Sequence, residues 1–400
     1  MARLALGEAL TNLVWARATS LADVRASVNW MYAAKMKGEG AAMWDAAISL
    51  RDAMIDLGVA CDGGKDSLSM AAAAGGETVM APGNLVVSAY VGCPDITQVV
   101  TPDLKLGADG VLVHVDLAEG RRRMGGSALA QAYDQLGNDC PDVTSAALKG
   151  MWEATQSLLA AGHLSAGHDI SDGGIATTLL EMAFAGNCGI SADLPLPAHA
   201  ADQPHGALGS LFAEELGLVL EVASANAQAV LDTYKAHGIP ASVIGKVSAG
   251  RAVELTVAGA PAVSGDVAAL RDSWEETSFV LERMQSSEET VSQEQAGLKD
   301  AKAPKWVLPF TPAFTPADKL AASDKGLAAP MLDTLASAAV AAASAAQHCG
   351  PDPLLRGGLN GDRGASDGGS STLQQQLAAL AQLGGFLAPG GVPGRANGRP

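Results

Sequence analysis

The sequence predicts a mixed α/β (α+β) fold of two or three domains. The alternation of helices and strands indicates the fold class, and the length and composition indicate the number of domains. Helical and strand-like hydrophobic patterns alternate between residues 110 and 257, as expected for helices packed on a sheet. The chain has 400 residues, of which 48% are hydrophobic, so two or three domains with sizeable cores are expected. Aromatic residues make up only 4%, which leaves the packing to Ala, Val and Leu.

The charge balance narrows the classes of partner. The formal net charge is −17, and no basic patch offsets it. This argues against binding to nucleic acid or to an anionic membrane, and favours small ligands. No apolar run approaches the ~18 residues of a membrane span, and the first residues do not form a signal peptide. The five cysteines are scattered singly, which is typical of reduced thiols.

The first hundred residues contain patterns for helices and strands in turn. We expect helices over residues 4–21 and 43–57, the second ending at Gly58. We expect strands over residues 27–32 and 84–91, the latter buried, and a domain link over residues 94–105.

Glu8 and Asn12 lie four residues apart, so they stack on one face of the first helix. A carboxylate and an amide carbonyl are hard oxygen donors that suit Mg²⁺ or Ca²⁺. The alternative is a solvated Glu8 and an Asn12 that ends the helix.

Two glycine-rich segments could hold an anion. In residues 62–70, Gly63 and Gly64 precede Lys65, so backbone amides and one ammonium could cradle a phosphate; an ordinary polar turn is the alternative. In residues 120–127, three arginines precede two glycines and Ser127 at the start of a helix over 128–136. Here the alternative is a solvated turn.

The remaining elements of the second half follow the same reasoning. We expect strands over residues 110–117, 217–222, 242–247 and 253–257, and helices over residues 148–159, 175–184 and 225–237. His114, in the first of these strands, is expected to be structural.

A polar island at residues 167–175 separates two of these helices. In an extended segment Asp169 and Ser171 share a face while His168 points to the other, which excludes a nucleophilic triad of the three. An acid and a hydroxyl followed by two glycines suit a metal and a phosphate. The alternative is a capped helix start with Ser171 or Asp172 as N-cap.

Taken together, these segments resemble the phosphoribosylformylglycinamidine synthase family, within the aminoimidazole ribonucleotide synthetase-like superfamily. The matching motifs are GEALTN at 7–12, SVNWM at 27–31, GKDSLSM at 64–70, GGSALAQ at 125–131, HDISDGG at 168–174, EMAFAG at 181–186 and EELG at 214–217. They occur in the family's order and spacing over roughly residues 4–300.

The resemblance implies a fold and a site. The fold is aminoimidazole ribonucleotide synthetase-like, with a truncated A domain and a complete B domain. The implied divisions are 1–104 (A) and 105–275 (B). The composition of the rest predicts a linker over 276–329 and a low-complexity, disordered tail over 330–400. Glu8, Asn12 and Asp169 match the family's Mg²⁺ ligands, and Ser171 matches a contact to ATP or ADP.

The implied activity is an ATP-dependent ligase of de novo purine biosynthesis. It converts formylglycinamide ribonucleotide and glutamine to formylglycinamidine ribonucleotide. The first synthetase half and the glutaminase domain are absent from this sequence, so the fragment alone is expected to be inactive. The alternative is a non-catalytic nucleotide-binding or scaffold module. The expected compartment is the cytoplasm or an organellar stroma or matrix.

Overall fold

The computed structural model describes residues 1–137, 139–197 and 206–298. Nine helices lie in these ranges: α1 (Ala2–Leu13), α2 (Glu39–Leu57), α3 (Ala128–Ala132), α4 (Ser145–Ala160), α5 (Gly174–Gly186), α6 (Gly206–Phe212), α7 (Ala227–Ala236), α8 (Val267–Glu282) and α9 (Glu288–Gly297). The same ranges contain twelve strands: β1 (Arg25–Met31), β2 (Ala60–Ser67), β3 (Ala71–Ala74), β4 (Glu77–Met80), β5 (Asn84–Tyr90), β6 (Gly110–Asp116), β7 (Ala166–Asp169), β8 (Gly189–Leu194), β9 (Gly217–Ala223), β10 (Ala241–Ser248), β11 (Ala252–Val257) and β12 (Ala260–Asp266). The mixed α/β (α+β) prediction is confirmed.

A seven-stranded sheet, in the order β12-β11-β8-β10-β6-β9-β7, forms the larger half of the fold. Every residue of β9 from Gly217 to Val222 is buried, because helices cover both faces of the sheet. Leu218 and Leu220 pack with residues of α1 and α4, whereas Val219 packs with residues of α5. The alternation follows from the two-residue period of a strand. The strand β7, which carries the island's first residues, pairs with β9 at the edge of this sheet.

A smaller three-stranded sheet, β2-β1-β5, is built from the first hundred residues. The helix α2 connects β1 to the parallel strand β2, and Gly58 ends it in the left-handed conformation with φ 73°. Leu50, Met54 and Leu57 of α2 are buried, as its apolar period predicts. One core cluster contains residues of α1, α2, α4 and β9. This cluster therefore spans the division predicted at residues 104 and 105, which stays a prediction.

The structure corrects four expectations in the first 140 residues. The first helix ends at Leu13, not at residue 21, because Ala16 bridges to Val99 and the Trp15 carbonyl accepts a bond from the Val100 amide. The strand β5 is not buried; Leu85 is its one buried residue, since β5 is an edge strand. The segment predicted as a loop or turn at 62–70 is mostly the strand β2, which pairs with β1. The helix α3 stops at Ala132 rather than at residue 136.

The described part of the region predicted as linker, residues 276–298, contains the end of α8 and the whole of α9. Asp266 caps α8 by accepting a bond from the Ala268 amide, and Ser287 caps α9 in the same way from Thr290. The pattern is hard to detect because Phe279 and Val291 are the main buried residues along this charged stretch. Residues 299–329 of the linker and the tail at 330–400 lie outside the described residues. No helix in the described ranges has both the length and the apolar content to cross a membrane.

Candidate functional site

The site begins with the contact between α1 and the end of β7. Asn12 donates from Nδ2 to the Glu8 carbonyl at 3.0 Å and to Oδ2 of Asp169 at 3.1 Å. Asp169 is the last residue of β7 and is 5% exposed. A helix of the smaller half thus contributes a polar face to the island, and the structure brings Asn12 and Asp169 together as the resemblance implies.

Glu8, one turn before Asn12, belongs to the same acidic cluster. Loss of water around its carboxylate, followed by repulsion from Asp169, Asp172 and Glu214, raises the pKa of Glu8 above its usual value. Three other carboxylates therefore repel the charge on Glu8. A cation beside Glu8 would relieve that repulsion.

His168 lies between two carboxylates. Its Nδ1 is 3.2 Å from Oδ1 of Asp169, and its Nε2 is 3.2 Å from Oε2 of Glu181 on α5. Burial opposes the charged imidazole, but the hydrogen bonds that its ring N–H groups donate to Asp169 and Glu181 outweigh burial and raise the pKa of His168 to about 10. The charged ring partly balances the acidic cluster and fixes the orientation of Asp169.

This arrangement corrects the geometric reason given against a triad. His168 and Asp169 are neighbours in the sequence, yet their side chains do contact each other, because Asp169 ends its strand and the chain turns there. The triad is excluded for another reason. Both ring nitrogens of His168 already face carboxylates, so neither can take a proton from Ser171.

The turn after Asp169 is set by two glycines. Gly173 has φ 81° and Gly174 has φ 67°, and the Gly174 amide donates to the Ser171 carbonyl at 2.9 Å. The helix α5 begins at Gly174 with Gly173 at the N-cap position and no side-chain cap. The alternative with Ser171 or Asp172 as N-cap is therefore wrong. Ser171 is left half-buried on the turn, two residues from Asp169.

The arginines of residues 120–127 are mostly engaged within the protein. Arg122 Nη2 lies 2.9 Å from Asp116, and Arg123 Nε lies 2.6 Å from Glu215. Ser127 accepts a bond from the Ala130 amide and so caps the short α3. These contacts leave Arg121 as the exposed arginine of the three, which speaks against a built anion site in this segment.

Sequence reasoning missed Glu214 as a member of the site. Its Oε1 accepts bonds from the Gly173 amide at 2.9 Å and from the Ala128 amide at 2.8 Å. The EELG motif at 214–217 was a signal, but a pair of adjacent glutamates does not reveal which partner each one contacts.

A groove of about 490 Å³ opens beside Glu8 and Asn12, between α1 and β5. Ala5, Ala9 and Leu13 form its α1 side together with the two polar residues, and residues 85–87 and Ala89 of β5 form its other side. A volume of this order suits a mononucleotide-sized ligand.

The donor set fits a hard divalent cation. Glu8 and Asp169 supply carboxylate oxygens, and Asn12 would supply its carbonyl oxygen after rotation of the amide. In the described ranges, no group of three or more His, Cys, Asp or Glu side chains is arranged for a metal ion. The predicted set is not such a group, since its third member is Asn12.

Comparison with known domain families gives two matches. Residues 1–92 match the FGAR-AT PurM_N-like domain. Residues 108–258 match the C-terminal domain of AIR synthase related proteins. The gap between the matches contains the predicted domain link.

Named relatives cover the same region. The chain is 57% identical over 317 residues to the probable phosphoribosylformylglycinamidine synthase, chloroplastic/mitochondrial, of Arabidopsis thaliana, covering 79% of this chain and 22% of the relative. It is 50% identical over 315 residues to the human phosphoribosylformylglycinamidine synthase, covering 78% of this chain and 23% of the relative. The structure of Thermotoga maritima PurL complexed with FGAR is similar at a TM-score of 0.49 and 15% identity, covering 79% of this chain and 45% of that one, which is too weak to support an argument.

The chain thus spans less than a quarter of the length of these two relatives. Within that span it carries both domain matches in the order that the motifs predict. The chain belongs to the phosphoribosylformylglycinamidine synthase family.

Proposed function

We propose that the acidic cluster at the junction of α1 and β7 binds a magnesium-bound nucleotide, ATP or ADP. Glu8, Asn12 and Asp169 would hold Mg²⁺, and Ser171 would contact the nucleotide. The observation that carries this proposal is the 3.1 Å contact between Asn12 and Asp169. It joins the polar face of α1 to the end of β7, the two places where metal ligands are predicted from the sequence.

The electrostatics support a cation together with an anionic ligand. Glu8 and Asp169 would repel a phosphate chain, and the metal would offset that charge. His168 keeps Asp169 in place through Nδ1 and is itself held by Glu181. Ser171 is half-buried on the turn, two residues after Asp169, and its hydroxyl would contact the ligand beside the metal.

The activity of the complete protein is the second part of the proposal. In the longer chain, the nucleotide site would belong to an ATP-dependent ligase that converts formylglycinamide ribonucleotide and glutamine to formylglycinamidine ribonucleotide. The amide oxygen would be phosphorylated and then displaced by ammonia, which a glutaminase domain outside this chain would release. The names of the relatives support this reaction. This chain alone would bind nucleotide without turnover.

A non-catalytic nucleotide-binding or scaffold module is the second candidate. It shares the proposed nucleotide site and differs in lacking turnover, so a turnover assay separates the two candidates. The name of the Arabidopsis relative supports an organellar stroma or matrix as the compartment, with the cytoplasm as the alternative.

Titration calorimetry with Mg²⁺-ADP tests the site. We expect binding by the wild-type chain, loss of that binding when Mg²⁺ is omitted, and about 10–100-fold weaker binding by Asp169→Asn. Asp109→Asn is the matched control, because Asp109 is an exposed aspartate before β6. Equal affinity of Asp169→Asn and the wild type would contradict the proposed site.

A turnover assay separates the two candidate functions. Formylglycinamide ribonucleotide, ATP and ammonium chloride are supplied to this chain and to a chain extended over the full length of the relatives. Product from the extended chain alone supports the ligase. Nucleotide binding without product in both chains favours the scaffold module.

A further inference from the structure

The segment from the end of α6 to the start of β9 lies along the island over its whole length. The Gly217 carbonyl accepts a bond from the Ile170 amide at 2.9 Å. Gly174 packs so closely on the end of α6 that an added Cβ would lie 2.7 Å from the Leu211 carbonyl oxygen. Between these two contacts, Glu214 reaches the Gly173 amide. The segment from α6 to β9 thus contacts the turn at three places, two through its backbone and one through the Glu214 side chain.

Glu214 also connects the turn to the start of α3, the helix that follows the glycine segment. One carboxylate oxygen, Oε1, accepts from Gly173 at 2.9 Å and from Ala128 at 2.8 Å. The two amides, of Ala128 and Gly173, are 45 residues apart in the sequence. Bonds to an ionised acceptor are stronger than neutral ones, so this oxygen is an effective bridge.

We propose that Glu214 is a positioning residue, which fixes the turn that follows Asp169 and contains Ser171 against the first residue of α3. Its carboxylate takes the amide hydrogens that a phosphate would otherwise use at these two glycine-rich segments. The phosphates of the ligand are consequently held through the metal and Ser171. This inference rests on the proposed nucleotide site.

Glu214 has a second physical effect, which the test must separate. Its negative charge contributes to the raised pKa of Glu8, so removing the charge alone alters the field at the site. Glu214→Gln removes the charge and keeps an acceptor oxygen, whereas Glu214→Ala removes both. Positioning predicts that the two variants differ, and a purely electrostatic role predicts that they agree.

The experiment combines hydrogen exchange, followed by mass spectrometry, with Mg²⁺-ADP calorimetry. We expect faster exchange over residues 126–131 and 171–176 in Glu214→Ala, together with about tenfold weaker binding, the loss expected for one charge-assisted bond. Glu214→Gln should keep both properties within about threefold. Glu276→Ala, which removes an exposed glutamate from α8, is the control and should match the wild type.

The outcomes are distinct. Unchanged exchange in Glu214→Ala, or equal impairment of Glu214→Ala and Glu214→Gln, would overturn the positioning role. If the wild type does not bind Mg²⁺-ADP, the proposed function fails, and the exchange measurements still decide the role of Glu214. If Glu214→Ala does not fold, Glu214→Asp replaces it. The shorter side chain cannot span both amides, so at least one of the two segments should exchange faster, and protection of both would overturn the inference.

Discussion

The side-chain amide of Asn12 lies 3.1 Å from Oδ2 of Asp169, although the two residues are 157 positions apart in the sequence. Each residue has an ordinary explanation when considered alone: Asn12 could end a helix, and Asp169 could precede a turn. Their contact shows that α1 and β7 present one polar surface. The identity of the site therefore depends on tertiary structure more than on either motif.

Asn12→Ala tests the α1 side of this surface. The substitution removes a proposed metal ligand and the donor to Asp169, so we expect Mg²⁺-ADP binding to weaken about tenfold or more. Calorimetry measures the affinity, and Gln228→Ala, which removes an exposed amide from α7, should leave it unchanged. An unaltered affinity in Asn12→Ala would remove α1 from the site.

The helices α1 and α2 show which helix boundaries could be predicted from the sequence and which could not. The period of Leu50, Met54 and Leu57 predicted α2 correctly, since a helix that covers one core face must repeat in this way. The end of α1 was not predictable, because it depends on a bridge from Ala16 to Val99, which are distant in sequence.

Several strands also escaped detection for a physical reason. The strand β12 contains Pro261 and Gly265, and β2 contains Gly63 and Gly64, all residues that disfavour strands. Pairing with β11 and β1 overrides these local preferences. In the site, Glu8, Asn12 and Asp169 followed from the family resemblance, whereas Glu214 required the folded backbone of two separate turns.

The buried pair of Arg123 and Glu215 provides a test of stability. The two side chains are 13% and 4% exposed, and Arg123 also donates to the Asp142 carbonyl. Arg123→Ala removes the guanidinium and leaves the buried Glu215 carboxylate with the backbone amide of residue 123 as its donor. We therefore expect a loss of about 3 kcal/mol in the free energy of unfolding. Urea titration measures this loss.

The matched control for that measurement is Arg51→Ala. Arg51 pairs with Asp52 on the surface of α2, where both side chains are 57% exposed. Such a pair contributes about 1 kcal/mol or less. Similar losses in the two variants would show that the Arg123–Glu215 pair contributes no more to stability than an exposed ion pair.

The lowered pKa of His114 should make the stability of the protein depend on pH. Burial, which outweighs the attraction of Asp116, lowers the pKa of His114 to about 4. The unfolded state binds a proton near pH 6.5, so stability is fully present above that pH and is lost as the pH falls toward about 4.

We expect the free energy of unfolding to fall by about 2–3 kcal/mol more in the wild type than in His114→Leu between pH 7 and pH 4. The difference between the two proteins cancels the titration of the carboxylates that they share. Parallel pH profiles would mean that the pKa of His114 is the same in the folded and unfolded states, which would contradict its burial as a neutral ring.

Gly174→Ala separates backbone strain from steric overlap at the island. Gly174 has φ 67°, and its added Cβ would lie within 2.8 Å of Phe212 backbone atoms. Gly58, with φ 73°, has nothing within 4 Å of the corresponding position. Gly58→Ala should cost about 1 kcal/mol from the left-handed backbone, and Gly174→Ala about 1–3 kcal/mol more from overlap. Thermal unfolding compares them, and equal costs would contradict the close packing of α6 on the turn.

The adjacent glutamates just before β9 have different partners: Glu214 accepts from the Gly173 and Ala128 amides, and Glu215 binds Arg123. Because the two side chains diverge from consecutive positions, insertion or deletion of one residue between α6 and β9 would misplace both partners at once. A charge-preserving substitution would disturb one of them alone. The length of this segment is therefore constrained more strictly than its composition, and any engineered loop before β9 has to keep its endpoint in register.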